Sequence, residues 1–369
     1  MIPIFASAMV LGLSPTLQEI QLPHHTFADS IAGWSVFGLP NATAKIALTH
    51  ESANLKIGPG SLQFDYGVAK GESNALLLPT PDGALAKMKS LKFWLRCDYA
   101  TSVAVILQEK DGGRYMSSFS APKGKWQRAE IGLTDFSLST SPNDPKDPNG
   151  RLDPDQIEAI AIFDLGQMFV QGEPAMASLF GVVSGPHSLY LSDFAAAPDA
   201  LSTVSPSSAG ETQIDTLSRP QVQWTGIGIS ALGIGSSSAM EGNALHATYH
   251  LGPGQMAGLI RRVAPGSLAG AAQLSFKAIS EKPIKLLVQC EETDGGKYNA
   301  VIEIPAGSAA GSFTVALSDL KVANDSKDSN DKLDTELISQ ILFVDLSGMA
   351  DQVSQDNVLQ IGKVTAKKA

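Results

Sequence analysis

The sequence predicts an all-β protein that consists of two tandem β-sandwich domains of jelly-roll type. Three observations predict it: an internal repeat covers most of each half, apolar residues alternate within both copies, and turn-forming residues separate the runs. Period-two alternation bounded by Gly, Asp, Asn and Pro is typical of half-buried strands. Many short strands with a single helical turn per repeat favour a sandwich.

The repeat is clearest at an Asp-Gly-Gly turn. Residues 111–115 recur as residues 294–298, with only Arg114 exchanged for a lysine. The same shift of 183 positions aligns residues 60–66 with 243–249 and 91–93 with 274–276, and a shift of 181 aligns 143–153 with 324–334 and 157–165 with 338–346. A register that holds over separate segments indicates a duplicated domain.

Both copies show strand and turn signals at matching places. In the first copy the alternating apolar residues are Leu62, Phe64 and Tyr66; Leu91, Phe93 and Leu95; Val103, Val105 and Leu107. The two Asp-Gly-Gly segments predict hairpin turns, because glycine adopts positive φ without steric cost. Asp153 followed by Pro154 predicts a short capped helix.

Composition changes mark the domain boundaries. Small and turn-forming residues between the halves predict a linker at 199–211, a first domain at 23–198 and a second, diverged domain at 212–369. Residues 1–22 carry an apolar stretch with small residues, which predicts a leader segment and a secreted, periplasmic or cell-surface location. No stretch approaches the roughly 20 apolar residues of a membrane helix, so membrane insertion is not expected.

The net charge and the cysteine content argue against a nucleic-acid partner and against a disulfide within a domain. The net charge of −10 leaves no basic stripe, which argues against nucleic acid as a partner. Cys97 and Cys290 fall at non-matching positions of the two copies, so we expect two buried thiols and no disulfide within a domain.

The sequence motifs that could indicate catalysis are each incomplete, so we expect a protein without enzyme activity. His246 and His250 stand at i and i+4, but a strand separates such positions by about 13 Å, and no Glu of a zinc-protease helix accompanies them. Glu109 and Asp111 could form a carboxylate pair, although hairpin turns often collect acidic residues. The acidic loop at 144–153 lacks the EF-hand spacing and is interpreted as a solvated loop.

The first copy resembles galactose-binding-like jelly rolls, and within them it is most similar to family 11 carbohydrate-binding modules and to complex I intermediate-associated proteins. The residues that carry this resemblance are 27–30, Trp34, 91–95, 124–126, 133–136 and 188–194. The resemblance implies a cleft on the concave sheet face that binds β-glucan chains, calcium at the edge, and no catalysis. The second copy departs from the pattern, since it has no aromatic residue where the first has Trp126.

Strand alternation selects the candidate ligand contacts. With Leu91, Phe93 and Leu95 facing inward, the side chains of Lys92, Trp94 and Arg96 face outward, and Gln108 faces outward on what we expect to be the neighbouring strand. An outward tryptophan among polar side chains suits the apolar face and the hydroxyls of a sugar. The predicted ligand-binding residues are Lys92, Trp94, Arg96, Gln108 and Tyr115. Two alternatives stay open: Trp94 is covered by a loop or by the other domain, and Tyr115 only packs.

The resemblance also suggests a metal site. Asp29 near the first strand and Asp193 on the last could meet at the sandwich edge, where the related modules bind calcium. The predicted function is that of a non-catalytic protein that binds a polysaccharide or glycan through an outer sheet face of the first domain. The alternative is a protein-interaction or structural module of the cell envelope without sugar binding.

Overall fold

The computed structural model describes residues 21–38, 44–139, 144, 146–172, 177–178, 180–201, 205–206 and 210–368. The predicted leader therefore lies almost entirely outside the described residues, as does part of the predicted linker. Within the described part of the chain, no helix is both long and apolar enough to cross a bilayer.

The first sandwich contains sheets A and B, whose strands all pair antiparallel. Sheet A consists of β1 (His24–His25), β3 (Lys45–Thr49), β4 (Ser61–Val68), β6 (Ser90–Cys97), β9 (Gln127–Gly132) and β12 (Gly185–Ala197), in the order β3-β4-β12-β6-β9 with β1 also beside β12. Sheet B consists of β2 (Ser35–Gly38), β5 (Asn74–Pro79), β7 (Thr101–Glu109), β8 (Arg114–Ala121), β10 (Ser137–Leu138) and β11 (Ile157–Asp164), in the order β10-β8-β7-β11-β5-β2.

The second sandwich contains sheets C and D. Sheet C consists of β13 (Ser205–Pro206), β14 (Glu211–Gln213), β16 (Ala231–Ser237), β17 (Gly242–Leu251), β19 (Ala271–Ser280), β22 (Gly311–Ala316) and β25 (Gln355–Lys368). Sheet D consists of β15 (Thr225–Ile227), β18 (Ala257–Arg262), β20 (Ile284–Glu292), β21 (Lys297–Ile304), β23 (Lys321–Val322) and β24 (Ile338–Asp345). Short α-helices include α1 (Gly166–Phe169) and α2 (Ser347–Ala350), and one-turn 3₁₀ helices occur at Ser52–Asn54, Leu133–Asp135, Pro154–Gln156, Ser238–Met240 and Leu317–Asp319.

The two sandwiches share one topology. In sheet C the path β16-β17-β25-β19-β22 reproduces the order of sheet A, and in sheet D the path β15-β18-β24-β20-β21-β23 reproduces that of sheet B. The predicted all-β fold of two tandem sandwiches is confirmed. The exact domain boundaries stay predictions.

Each sandwich has its own core, which is built from the alternating residues. Leu62, Phe64, Leu91, Phe93 and Val105 are buried in the first core. Their counterparts Leu245, Leu274, Phe276 and Val288 are buried in the second. Full burial of a large apolar side chain is worth roughly 1.5–3 kcal/mol, so each core can hold its two sheets together.

Two smaller expectations have different outcomes. Cys97 and Cys290 are buried free thiols on non-equivalent strands, β6 and β20, as predicted. The helix predicted after Asp153 is only a single 3₁₀ turn, and the Asp153 side chain does not cap it. Asp153 instead uses its backbone N–H, which donates to Glu109 Oε1 at 2.5 Å.

The expectation that β7 lies beside β6 is wrong. β6 pairs with β12 and β9 in sheet A, whereas β7 pairs with β8 and β11 in sheet B. The chain crosses between the two sheets at residues 98–100 and does not turn back as a hairpin. Alternation fixes the face on which a side chain lies, but it does not fix which strand is the neighbour. Gln108 therefore points away from the sandwich on the side opposite to Trp94.

The first part of the second sandwich contacts the first sandwich. Gln221 accepts a hydrogen bond from the Glu130 N–H at 3.1 Å and donates to the Glu130 carbonyl at 2.7 Å. The backbone N–H of Ser120 donates to the Val222 carbonyl at 2.9 Å, and its hydroxyl donates to the Trp224 carbonyl at 2.8 Å. Residues 221–224 thus lie along β8 and β9, although Val222 and Trp224 are buried in the core of the second sandwich.

Candidate functional site

The outer face of sheet A carries a cluster of aromatic and planar polar side chains. In the strand register, Tyr190 on β12 stands between Gln63 on β4 and Arg96 on β6. The Arg96 guanidinium carbon lies 4.3 Å from the centroid of the Tyr190 ring and 5.5 Å from that of Trp126, which precedes β9. We call Arg96, Trp126 and Tyr190 the Arg96 cluster. All three side chains are half-buried, so each keeps part of its surface open to solvent.

The loop between β3 and β4 fixes the position of Arg96. Its Nη1 donates to the Ala53 carbonyl at 2.7 Å and its Nη2 to Asn54 Oδ1 at 2.5 Å. Asn54 in turn donates to Glu51 Oε2 at 3.1 Å. Because the fork of a guanidinium is rigid, these two bonds hold its plane in a defined orientation beside the two rings. The cation also gains from contact with the aromatic rings, by about 0.5–2 kcal/mol.

A groove of about 520 Å³ opens next to the cluster on the same face, between β4 and β12. Asp65 lies in its wall and accepts hydrogen bonds from Gln63 Nε2 at 2.9 Å and from Ser188 Oγ at 2.6 Å. Lys45 Nζ stands 3.7 Å from the other carboxylate oxygen. The groove therefore presents donors and acceptors that their neighbours hold in place.

This combination is chemically suited to a sugar. An aromatic ring packs against the apolar face of a pyranose, and the surrounding hydroxyls need fixed donors and acceptors. Tyr190 and Trp126 supply the rings, while Arg96, Gln63 and Asp65 supply planar polar groups. Such a mixture of apolar surface and a few placed polar groups is typical of small-molecule sites.

Three of the predicted ligand-binding residues lie on this face, but two of them are engaged elsewhere. Lys92 forms an ion pair with Asp199. The Nζ of Lys56 stands 4.3 Å from the centroid of the Trp94 ring, and the indole Nε1 is buried without a hydrogen-bond partner. The loop between β3 and β4 therefore contacts the Trp94 ring, which is half-buried. Arg96 is the predicted residue that remains central.

Gln108 and Tyr115 do not belong to this site. Gln108 leaves sheet B on the other side of the sandwich, where its Nε2 donates to the Glu109 carbonyl at 2.9 Å. Tyr115 is buried in the first core, and its hydroxyl donates to Asp147. The packing alternative for Tyr115 therefore matches the structure. The five predicted residues do not form one site, because β6 and β7 are in different sheets.

Asp29 and Asp193 belong to no described group of three or more metal-ligating side chains. Asp193 is hydrogen-bonded to His24 Nε2 at 2.8 Å, and Asp29 is exposed. Calcium takes six to eight oxygen ligands, so two carboxylates are too few. Within the described residues, the carboxylate triads close enough to share an ion lie elsewhere, at Glu109, Asp111 and Asp147 and at Glu292, Asp294 and Asp328. Calcium at Asp29 and Asp193 stays a prediction.

The sequence interpretation missed Tyr190, Gln63, Asp65 and the part played by Trp126. A signal existed for Tyr190, since the inward Leu189 and Leu191 on either side place it on the outer face. Its contact with Arg96 requires the pairing of β12 with β6, although the two strands are nearly 100 residues apart. No local pattern reveals such a pairing.

The second sandwich does not carry the Arg96 cluster at the matching positions. The positions that correspond to Arg96, Tyr190 and Asp65 are occupied by Ile279, Gln360 and Thr248, which follows from the repeat and the matching strand register. None of these three side chains offers a ring or a charge. The cluster is therefore a property of the first sandwich.

Comparisons with known proteins give structural likeness only. No family model and no curated protein matches the sequence. A family 11 carbohydrate-binding module from Clostridium thermocellum, solved with a β-1,3-1,4-mixed-linked tetrasaccharide, is similar over 49% of this chain and 98% of that one, at 14% identity and a TM-score of 0.37. The tandem CBM22 domain from Paenibacillus barcinonensis is similar over 94% of this chain and 98% of its own, at 10% identity and a TM-score of 0.29.

The sequence resemblance and the structural comparison both name family 11 modules. The relation to complex I intermediate-associated proteins stays a prediction.

Proposed function

We propose that this chain is a non-catalytic glycan-binding protein that holds a polysaccharide against the outer face of sheet A in its first sandwich. The observation that carries the proposal is the Arg96 guanidinium, held between Tyr190 and Trp126 beside a groove with Asp65 in its wall. An export signal in the predicted leader would place such a protein outside the cytoplasm, and we propose that location too.

The polar groups on the outer face of sheet A support sugar binding and not catalysis. Asp65 already accepts from Gln63 and Ser188 and stands near Lys45, so its charge is compensated. A carboxylate in that setting suits hydrogen bonds from sugar hydroxyls. A single site of this kind is weak, since a millimolar dissociation constant corresponds to about −4 kcal/mol.

Affinity electrophoresis of the full chain tests the proposal, with barley mixed-linked β-glucan, xyloglucan, xylan and galactomannan in separate gels. We expect at least one polymer to retard the protein. Tyr190→Ala should raise the dissociation constant for that polymer at least tenfold, which corresponds to about 1.4 kcal/mol. Gln360→Ala is the matched control, because it occupies the same strand position in the second sandwich. Equal retardation of both variants would refute the assignment of the face.

A second candidate is a protein-interaction or structural module, and one observation favours it. On the outer face of sheet B, Phe37 is 66% exposed and pairs with the buried Ala75. Exposed apolar patches often mark protein contacts. This function predicts that no polysaccharide retards the folded chain.

A further inference from the structure

The cations on the outer face of sheet A differ in whether a carboxylate accompanies them. The ion pairs of this face are Lys45–Asp65, Lys92–Asp199 and Arg128–Glu130. Arg96 and Lys56 stand on the same face, but within the described part of the chain neither forms an ion pair with a carboxylate. The charges of these two side chains are therefore not compensated by the protein.

The acceptors that hold Arg96 in place are neutral. The Ala53 carbonyl and Asn54 Oδ1 occupy two of the five N–H groups of the guanidinium. Neither a carbonyl nor an amide cancels a positive charge, and the half-burial of Arg96 reduces the screening by water. The Arg96 cluster thus contains an oriented cation that still has donors to offer to a ligand.

Lys56 places a second positive charge close to the first. Its Nζ stands 4.3 Å from the centroid of the Trp94 ring, and Trp94 precedes Arg96 by two positions on β6, about 7 Å along the strand. The neighbouring Ile57 is bonded to the sheet, since its carbonyl accepts a hydrogen bond from Ser192 Oγ on β12 at 3.1 Å. The segment that carries Lys56 is therefore held against the same face as Arg96.

The turn between β8 and β9 adds two more lysines. The Gly124 N–H donates to the Cys97 carbonyl at 2.7 Å, so this turn lies beside the end of β6 where Arg96 stands. Lys123 and Lys125 flank Gly124, both are exposed, and neither forms an ion pair with any residue that the structure describes. Positive charge therefore borders the Arg96 cluster, although the net charge of the chain is −10.

The groove beside the cluster has the opposite character. Asp65 and Glu72 both lie in its wall, where Lys45 is the accompanying cation. An acidic group on a bound chain is attracted towards the Arg96 cluster and repelled by the carboxylates of the groove. The charges thus determine at which end of the site an acidic sugar would lie.

We infer that the ligand is an acidic polysaccharide, and that the carboxylate of a uronic acid contacts Arg96 beside Tyr190 and Trp126. The inference rests on the proposed glycan site and specifies its ligand. A planar carboxylate accepts two parallel N–H bonds from a guanidinium. In a uronic acid this group is attached directly to the sugar ring, so the ring can pack on Tyr190 while the acid contacts Arg96, whose guanidinium carbon lies 4.3 Å from the centroid of that aromatic ring.

Matched pairs of polymers test this inference on the full chain by calorimetric titration in the presence of a chelator, which prevents gelation. The pairs are polygalacturonate, alginate and glucuronoxylan, each beside its carboxyl-reduced form, in which the linkages stay and every carboxylate becomes a hydroxymethyl group. We expect the acidic form of at least one pair to bind at least tenfold more tightly than the reduced form. Dextran sulfate, which offers charge without a carboxylate, should bind more weakly than that acidic form.

Variants locate the contact with the acid. Arg96→Gln should remove the preference, so that the acidic and the reduced form bind with the same dissociation constant. Lys56→Gln should reduce the preference about threefold, as one exposed charge would. Arg128→Gln is the matched control, because it removes one positive charge from the same face but from an ion pair with Glu130, and it should keep the preference.

Equal affinity for the acidic and the reduced forms would overturn the inference and leave glycan binding intact. Dextran sulfate that binds as tightly as the uronic-acid polymers, or an equal loss in Arg96→Gln and Arg128→Gln, would overturn it too, because either result shows a general attraction of anions. No binding to any polymer, acidic or neutral, would instead refute the proposed function, and this inference with it.

Discussion

Arg96 matters more to the candidate site than Trp94, although the tryptophan is the more conspicuous residue in the sequence. Lys56 contacts the ring of Trp94, whereas the guanidinium of Arg96 is fixed by two acceptors and contacts two rings. Alternation was enough to predict that both side chains face outward. It could not predict the loop at residues 52–58 that contacts one and orients the other.

Replacement of Arg96 by lysine keeps the charge but removes the planar fork. We expect Arg96→Lys to weaken binding of the polysaccharide that retards the chain most at least tenfold. The guanidinium donates to both Ala53 and Asn54 while its plane contacts Tyr190, and a compact ammonium cannot make all of these contacts. Calorimetric titration measures the change. Arg128→Lys is the control, since Arg128 stands on the same face but pairs with Glu130. Unchanged affinity in Arg96→Lys would show that only the charge matters.

His25 should make the stability of the first sandwich depend on pH. Its Nδ1 accepts a hydrogen bond at 3.1 Å from the indole of the buried Trp34, and burial, followed by the charge of His24, lowers the pKa of His25. A lowered folded-state pKa means that stability is fully present above the unfolded-state value, about 6.5, and is lost as the pH falls through the folded-state value.

We therefore expect the free energy of unfolding to decrease between pH 7.5 and pH 5, and His25→Asn, which keeps an acceptor but does not titrate, to reduce that decrease. Urea unfolding of both proteins at the two pH values measures it. Identical decreases in the two proteins would exclude His25 as the cause.

At the scale of strands, a buried tyrosine links the two sheets in both sandwiches. Tyr66 on β4 donates to Asp164 Oδ2 on β11 at 2.6 Å, and Tyr249 on β17 donates to Asp345 Oδ2 on β24 at 2.9 Å. The repeat predicted that these tyrosines and aspartates match in pairs. It could not predict that they meet, because each pair is almost 100 residues apart in sequence and crosses between two sheets.

Loss of the hydroxyl should have unequal effects in the two sandwiches. Tyr249→Phe should destabilise the second sandwich by about 1–3 kcal/mol, because the Oδ2 of Asp345 is buried and loses its donor. Tyr66→Phe should cost less in the first, since Asp164 keeps donors from Tyr99 and Thr101. Urea unfolding of the two variants makes the comparison. A larger cost for Tyr66→Phe would contradict this account.

At the scale of the molecule, the two copies share one strand order but carry different side chains at the positions of the Arg96 cluster. The duplicated alternation and turns predicted two tandem sandwiches correctly, but they did not predict the strand order, since β6 and β7 lie in different sheets. The Arg96 cluster could not be predicted in full, because it depends on which distant strands become neighbours and on a loop that lies over the sheet. Twin acidic loops are visible in the sequence, but their convergence under the turns requires the fold.

The position of the second sandwich depends on Gln221, which bonds both the N–H and the carbonyl of Glu130 on the edge strand β9. We expect Gln221→Ala to broaden the distance distribution from small-angle scattering, because the junction loses two hydrogen bonds to the first sandwich. Gln213→Ala, whose side chain bonds within the second sandwich, is the control. A distribution as narrow as that of the unmodified protein would show that other junction contacts suffice.

The central claim, a glycan site on the outer face of sheet A, is tested most directly by calorimetric titration of the polysaccharide that retards the chain most into Tyr190→Ala and Phe37→Ala beside the unmodified chain. These two residues stand on opposite faces of the first sandwich. The account predicts that the unmodified chain binds, that Tyr190→Ala abolishes the heat and that Phe37→Ala leaves it unchanged. Binding that survives Tyr190→Ala and disappears in Phe37→Ala would place the site on sheet B and contradict the account.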